Sequence, residues 1–487
     1  MNPSLPCQRT FGWVLAAVFA LLFLLLYGGA NIVSDWIPWR WHPALPGEAA
    51  WPFYPQWAPL YLLMPLLLFW CVVKLNWTAQ WALLATLLAE LLLACVFFVL
   101  LPVETAFPPR HVSGWAAPWF ELATTLSMRH NHFPSLHVAF ALTAALALQP
   151  VLRPLACLLS WLWVGLVAAS TVFIHEHHLL DIAAGAVLAV LAWRIVPPWT
   201  RQAAVLQRVR LEWLWCCNQW AFARRHRRYA LISLMIATQR LRRPQRGTLL
   251  LSGYCFLQAV DDIMDGDRRS RTAPIAVADA LLAAWQQRRF HTAHNLMLLA
   301  HDFQQRLALL PDADHALADV GALLQVMRAD RLRAEARAVW SATALAAQHQ
   351  ATFALSLDLL LAALGSPSRA AAAPALTTVL GWCSVMRDLR EDIAAGIINI
   401  PQTQWQQLSP PPNGTPPDSW LRQPPLQQWM AAQHAQALQQ LSLLDTQLAA
   451  DSLDPRAQRI MRIFARSVRD FAQRRFYRLY PWLSSDA

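Results

Sequence analysis

Lysine is almost missing from this chain. Lys74 is the only one, so the formal net charge of +11 comes almost wholly from arginine. Charged residues make up 14% of the sequence and hydrophobic ones 56%, with a mean hydropathy of +0.30. A nucleic-acid partner is not expected from so one-sided a bias; a basic face beside an anionic membrane leaflet explains the excess with fewer assumptions. Cysteine is also scarce, with eight residues at Cys7, Cys71, Cys95, Cys157, Cys216, Cys217, Cys255 and Cys383. None forms a C-x-x-C pair or lies near histidine at zinc spacing, and three lie in apolar runs, which argues against a disulfide framework. They read as small core residues, and for Cys216 and Cys217 that structural reading is preferred to lipidation. No alternating strand pattern of any length occurs, which leaves helices.

What is present divides near Arg194 into an apolar front and an Arg-, Gln- and Ala-rich back. A chain of 487 residues has room for two or three domains, each with its own core. Six stretches approach the roughly 20 apolar residues that cross a bilayer, at about 11–30, 56–76, 80–101, 135–149, 155–174 and 179–197. The fourth is short. The first is too long for a signal peptide and lacks a small-residue cleavage site before Trp36-Ile37-Pro38-Trp39. An even number of spans puts both termini on one side. Arg9, Lys74, Arg153, Arg194, Arg201, Arg208 and Arg210 make that side cytoplasmic, against Arg40, Arg110 and Arg129 on the other. Trp36, Trp39, Trp41, Trp51 and Trp57 fit an aromatic belt on the outer face. After Arg201, apolar positions recur at helical spacing over Ala278–Leu310, Leu317–Trp340 and Gln427–Leu448, interrupted by a loop at Ser409–Pro417.

Two polar clusters interrupt the apolar half where burial penalises them most. One is Phe133-Pro134-Ser135-Leu136-His137; the other runs from Ser170 through His175, His177 and His178 to Asp181. His177 and Asp181 are four apart, which on a helix puts them on one face, where the carboxylate fixes the imidazole tautomer and makes a nucleophile. His137 can then protonate a leaving alkoxide, while Ser135 and the helix-start N–H groups bind phosphate oxygens. A zinc site at His175, His177 and His178 is the weaker rival, since no cysteine or repeated carboxylate supports it.

Residues 1 to about 198 resemble the type 2 phosphatidic acid phosphatase superfamily. Its second motif, P-S-G-H, corresponds to Pro134-Ser135-Leu136-His137, and its third, S-R, five residues, H, three residues, D, to Ser170, Thr171, His177 and Asp181. The resemblance implies His177 as phosphorus-attacking nucleophile, Asp181 as its orienter, His137 as general acid, and Ser135 and Ser170 as phosphate-binding groups, with no cofactor. Leu136 and Thr171 replace the motif glycine and arginine, as in the inositol phosphorylceramide synthase-like branch. The first motif is missing, and Arg110 is its expected substitute as phosphate clamp. Hydrolysis of a lipid phosphate and head-group transfer both stay open.

In the back half, Asp261-Asp262-Ile263-Met264-Asp265 ends an apolar helical run, and Ser384, Asp388 and Asp392 repeat the four-residue spacing. One such ladder is more often a solvated helix face than a site. Two, the second interleaved with Arg387 and Arg390, suggest oxygen ligands for magnesium bridging to a diphosphate. Here residues from about 205 to 480 resemble the squalene and phytoene synthase family, through Tyr254 to Asp265 and through Gly381 to Asp392 followed by Gly396 to Pro401. The resemblance implies magnesium on Asp261, Asp265, Asp388, Asp392 and Ser384, and diphosphate or substrate contacts from Arg387, Tyr254 and Asp330. It departs from the family at Gln258, Gly381, Ile397 and Asn399, and an NADPH-dependent reduction after coupling stays open.

The expectation is therefore an all-α protein of a bacterial inner membrane. A six-helix transmembrane bundle at residues 1–198 carries an external site, and an all-helical isoprenoid synthase-like domain at residues 205–487 lies in the cytoplasm with both termini. Its expected partners are lipid phosphates, prenyl diphosphates and membrane lipids. A lipid phosphatase with a non-catalytic, lipid-binding or docking back half is the alternative. A transporter is third, as no Gly-interrupted inverted repeat is visible.

Overall fold

The computed structural model describes residues 5–225, 227–268, 270–411, 414–449 and 453–483. Pro412 and Asn413, within the expected Ser409–Pro417 loop, lie outside them. Among the described residues there is no strand, only an isolated bridge between Trp41 and Val103. The chain separates into two compact units, Ser4–Trp213 and Leu214–Ala487.

The first unit holds α1 (Gln8–Asp35), α2 (Pro65–Lys74), α3 (Trp77–Leu100), α4 (Ala117–Ser127), α5 (Leu136–Leu148), α6 (Pro154–Phe173) and α7 (Leu179–Thr200). Five helical segments among the described residues are long and apolar enough to cross a membrane: α1, residues 55–74 ending in α2, α3, α6 and α7. The expected sixth, α5, has only 13 residues. At 1.5 Å per residue it rises about 20 Å, short of a hydrocarbon core of roughly 30 Å. It does not need the full length, because it is the buried centre of the bundle: Ala139, Ala141, Ala144 and Ala145 are wholly buried, and α2, α3, α6 and α7 pack around it. The small side chains let those neighbours approach closely.

The outer faces are apolar in the way lipid requires. Leu24 on α1, Leu155 on α6 and Ile195 on α7 are each about two-thirds exposed. Asn76 starts α3 by accepting a hydrogen bond from the Ala79 N–H at 2.9 Å, which satisfies one of the donors a helix start leaves open. Inside, Glu90 of α3 is fully buried and accepts a hydrogen bond from the Thr143 hydroxyl of α5 at 2.5 Å.

The second unit is built from the end of α8 (Ala203–Arg225) and from α9 (Arg227–Arg242), α10 (Pro244–Met264), α11 (Pro274–Gln287), α12 (Asn295–Leu307), α13 (Ala313–Glu335), α14 (Ala342–Ala363), α15 (Pro374–Ala395), α16 (Pro424–Ala449) and α17 (Pro455–Asp470). The expected continuous helix over Ala278–Leu310 is two, α11 and α12. The chain turns between them with Arg288 in the left-handed region at φ 54°. The pattern at Leu317–Trp340 likewise stops early, at Glu335. The cysteines form no disulfide among the described residues; Cys71 and Cys255 are core residues, but Cys7 and Cys216 are exposed, against the expectation for all eight.

Candidate functional site

The start of α5 and the start of α7 meet. The backbone N–H of Ser135 donates to the Asp181 carbonyl at 3.0 Å, and Gly185 lies so close that a Cβ there would stand 2.4 Å from the Ser135 carbonyl oxygen. Only glycine permits that approach. Ser135 is the residue at the start of α5, fully buried, with its hydroxyl oxygen lacking a hydrogen-bond partner.

His177 and Asp181 do come together, with His177 Nδ1 3.5 Å from Asp181 Oδ2, but not as two residues on one helix face. Helix α6 stops at Phe173 and α7 starts at Leu179, so His177 stands in the turn between them. His175 adopts φ 59° there, and the N–H groups of Glu176 and His177 both donate to the Thr171 carbonyl at 3.0 and 3.2 Å. Asp181, in the first turn of α7, accepts from the His178 N–H at 2.9 Å. Its carboxylate thus fastens the helix start and faces the imidazole, and both side chains are buried.

Three histidine rings face one another. His137, on the first turn of α5, stacks on Tyr61 with centroids 3.9 Å apart and lies 6.3 Å from His177. The third is His132, 5.5 Å from His177 and edge-on to it at 76°. The sequence reading passed over it. Burial, then the charge of His177, pushes the His132 imidazole down to about 4.

Around this centre a shell of polar contacts fixes the turn. Glu48 accepts from the N–H groups of Leu45 and Leu179, both at 2.7 Å, and lies 2.9 Å from His178 Nδ1. Phe107 stacks on both His175 and His178 at 4.3 and 4.4 Å. Arg110, expected as a phosphate clamp, is used otherwise: it donates to the carbonyls of Ile174 and His175 at 3.0 Å and to Glu176 Oε1 at 2.7 Å. The guanidinium therefore holds the turn that carries His177. Ser170 is buried, and its hydroxyl donates to the Val167 carbonyl at 2.7 Å rather than toward the histidines. His178 and His175 are taken up by Glu48 and by the Trp51 carbonyl, and no group of three His, Cys, Asp or Glu among the described residues is placed to hold a metal ion.

An apolar cavity of about 440 Å³ opens between α1, α2, α3 and α5, and none of the three histidines lines it. Phe140, one helical turn from His137 on α5, lines it together with Met64, Leu68, Phe69 and Leu87. Residues 53–195 match the PAP2 superfamily model. That PAP2-like stretch spans Tyr61, the histidine cluster, Asp181 and Gly185. No curated protein and no solved structure matches the chain.

In the second unit, Asp261 lies in the last turn of α10 and Asp265 just past its end, with the Asp265 N–H donating to the Asp261 carbonyl at 2.8 Å. Gln258 donates to Asp261 at 3.1 Å. The neighbouring Asp262 is buried and paired with Arg225 at 2.6 Å. On α15, Asp392 accepts from Asn399 at 2.8 Å, and Asn399 in turn accepts from Arg333 at 2.8 Å. Arg333 lies 3.2 Å from Asp330. Asp388 is neutralised by its neighbour Arg387, whose Nε donates at 2.7 Å, and Ser384 lies 3.5 Å from the same guanidinium.

Burial and then the charges of Asp265 and Asp262 raise Asp261 to about 7. For Asp265 the causes are desolvation, then Asp267 and Asp330, with a rise to about 6. Asp392 rises to about 7 through burial and then Asp388 and Asp265, partly offset by the Asn399 hydrogen bond. Asp265 and Asp392 thus bring charge from α10 and α15 to bear on each other. Tyr254 packs against Phe222 at 5.5 Å with its hydroxyl buried and unpartnered, and burial raises its pKa. Gly381 has a packing role: a Cβ there would meet the Cβ of His349 at 3.0 Å, where α14 and α15 enclose a cavity of about 360 Å³.

Proposed function

We propose that the first unit is a phosphohistidine-forming phosphatase acting on a lipid phosphate within a membrane. The observation that carries this is the meeting of His137, His177 and Asp181 at the starts of two packed helices. The match of residues 53–195 to the PAP2 superfamily supports it.

In this reading the hydrocarbon chain lies in the cavity and the phosphate among the histidines. His177 Nε2 attacks phosphorus while its Nδ1–H faces Asp181, the ester P–O bond breaks, and His137 gives a proton to the leaving alkoxide oxygen. Water then attacks the phosphohistidine and passes a proton to His137, and the P–N bond breaks to free phosphate. The buried Ser135 hydroxyl and the N–H groups at the start of α5 receive the phosphoryl oxygens. Purified full-length protein in detergent should release phosphate from a long-chain lipid phosphate in the presence of a chelator, and His177→Ala should abolish the release. Phosphate release that survives in His177→Ala would remove the nucleophile.

A second reading, favoured by the unbalanced acidic charge on α10 and α15, is a magnesium-dependent prenyl-diphosphate site in the second unit. The described residues offer no cage of three or more protein donors. They fit magnesium held by one or two carboxylates, with diphosphate oxygens and water completing the shell. Asp261 and Asp265 from α10, or Asp392 from α15, would hold an ion in this way, while Asp388 is already paired with Arg387. When bound, the ion would balance the charge of departing diphosphate. Consumption of farnesyl or geranylgeranyl diphosphate with and without magnesium, in a His177→Ala background that cannot hydrolyse it, tests this half.

A further inference from the structure

His132, which the catalytic scheme leaves unused, has its ring 5.5 Å from that of His177. His132 is 4% exposed and lies three residues before Ser135. Its Nε2 is 3.1 Å from the Arg129 carbonyl oxygen. A carbonyl can only accept, so Nε2 carries the hydrogen and Nδ1 carries a lone pair. That Nδ1 is buried with no hydrogen-bond partner. A buried acceptor left unpaired costs free energy, so the site is shaped for something that brings a donor.

The charged and titratable groups facing His132 are His177 and Asp181 from the turn and helix beyond α6, and Arg110 from the loop after α3. His177 and Arg110 oppose a proton on the ring, Asp181 favours one, and burial outweighs all three, so the ring is neutral at ordinary pH. A neutral ring with a free lone pair repels a fully ionised phosphate and attracts a P–OH group. A phosphate monoester has such a group below its second pKa of about 6. A phosphodiester has none at any ordinary pH.

We propose that His132 is a specificity-determining residue that selects a phosphate monoester in its singly protonated form, its Nδ1 accepting the P–OH hydrogen while His177 attacks. This rests on the phosphatase reading and narrows it: a diester lipid head group presents only acceptors to this lone pair, so hydrolysis of monoesters is the reaction and head-group exchange on diesters is not.

The test uses the full-length protein in detergent, with dodecyl phosphate as monoester and dodecyl methyl phosphate as diester, and kcat/KM measured from about pH 5 to 9. The rest of the site is the same in both proteins, so the readout is the ratio of wild type to His132→Leu. That ratio should be about a hundredfold near pH 5.5, the worth of a strong buried hydrogen bond, and should shrink toward unity by pH 8.5. His132→Asn, which keeps an acceptor, should stay within about tenfold of wild type. A ratio that does not change with pH reduces His132 to packing and overturns the proposal, as does a diester turned over as fast as the monoester. A variant-free measurement stands beside these: inorganic phosphate should inhibit wild type as its singly charged form, so its inhibition constant should rise with pH above the second pKa of phosphate. A flat or falling constant overturns the proposal. Undiminished activity in His177→Ala instead overturns the phosphatase reading itself.

Discussion

A Cβ on Gly185 would stand 2.4 Å from the carbonyl oxygen of Ser135, so α7 rests directly on the residue that begins α5. Gly185→Ala should push the helices apart and break the bond from the Ser135 N–H to the Asp181 carbonyl. Overpacking of this kind costs about 1–3 kcal/mol. The expected result is a lowered Tm with phosphate release falling further than stability does, because both catalytic segments move. A variant with unchanged Tm and activity would show that the contact does not hold the site.

His177→Ala should lower phosphate release by about a thousandfold or more, and Asp181→Asn by less, since the amide still caps α7 but no longer favours the charged imidazole. The check is single-turnover trapping of labelled phosphoenzyme, which His177→Ala should eliminate and His137→Ala should not.

Acid should destabilise the first unit through His132. Its folded pKa of about 4 lies below the unfolded value of about 6.5. Between those values the unfolded chain binds a proton the folded chain refuses. Stability is therefore complete above about pH 6.5, falls as pH drops toward 4, and then levels off, with a total of up to about 3 kcal/mol. Thermal unfolding of wild type and His132→Asn across this range measures it; the variant should lose less on acidification.

In the second unit, magnesium with inorganic diphosphate should raise the Tm of the full chain, and Asp392→Asn should weaken that gain. In the His177→Ala background, Asp388→Ala should lower magnesium-dependent consumption of prenyl diphosphate less than Asp392→Asn does, since Arg387 already occupies Asp388. No magnesium-dependent product in that background would favour a docking role for this half.

A reporter fused after Ala487 should be cytoplasmic if the arginine bias orients the bundle. An external reporter would reverse the orientation.

The sequence made some of these residues conspicuous and hid others for physical reasons. Ser135, His137, His177 and Asp181 stand out because they interrupt apolar runs, where a polar group is expensive. His132 does not, since it sits in the polar run Arg129-His130-Asn131-His132, which reads as an ordinary loop. Arg110 was legible as a cation near the site but not as a brace, because its partner Glu176 lies 66 residues away. The end of α6 was legible as the end of an apolar run near 174, but the tight turn after it was not: no glycine or proline marks it, and His175 takes the left-handed conformation that glycine usually supplies. Helices were readable from period and length, except where Arg288 breaks an unbroken apolar pattern. Asn399, a departure from the synthase pattern, proves to link Asp392 to Arg333.

Under the phosphatase reading, the cavity that Phe140 lines, one turn from His137, would give the two products different destinations. In the proposed reaction, phosphate would leave from the helix starts into water, and the long-chain alcohol would leave sideways along Met64 and Phe140 into oil. Once they had parted into separate phases, their re-encounter at His177 would be rare, and dephosphorylation would become one-way without any further input of energy.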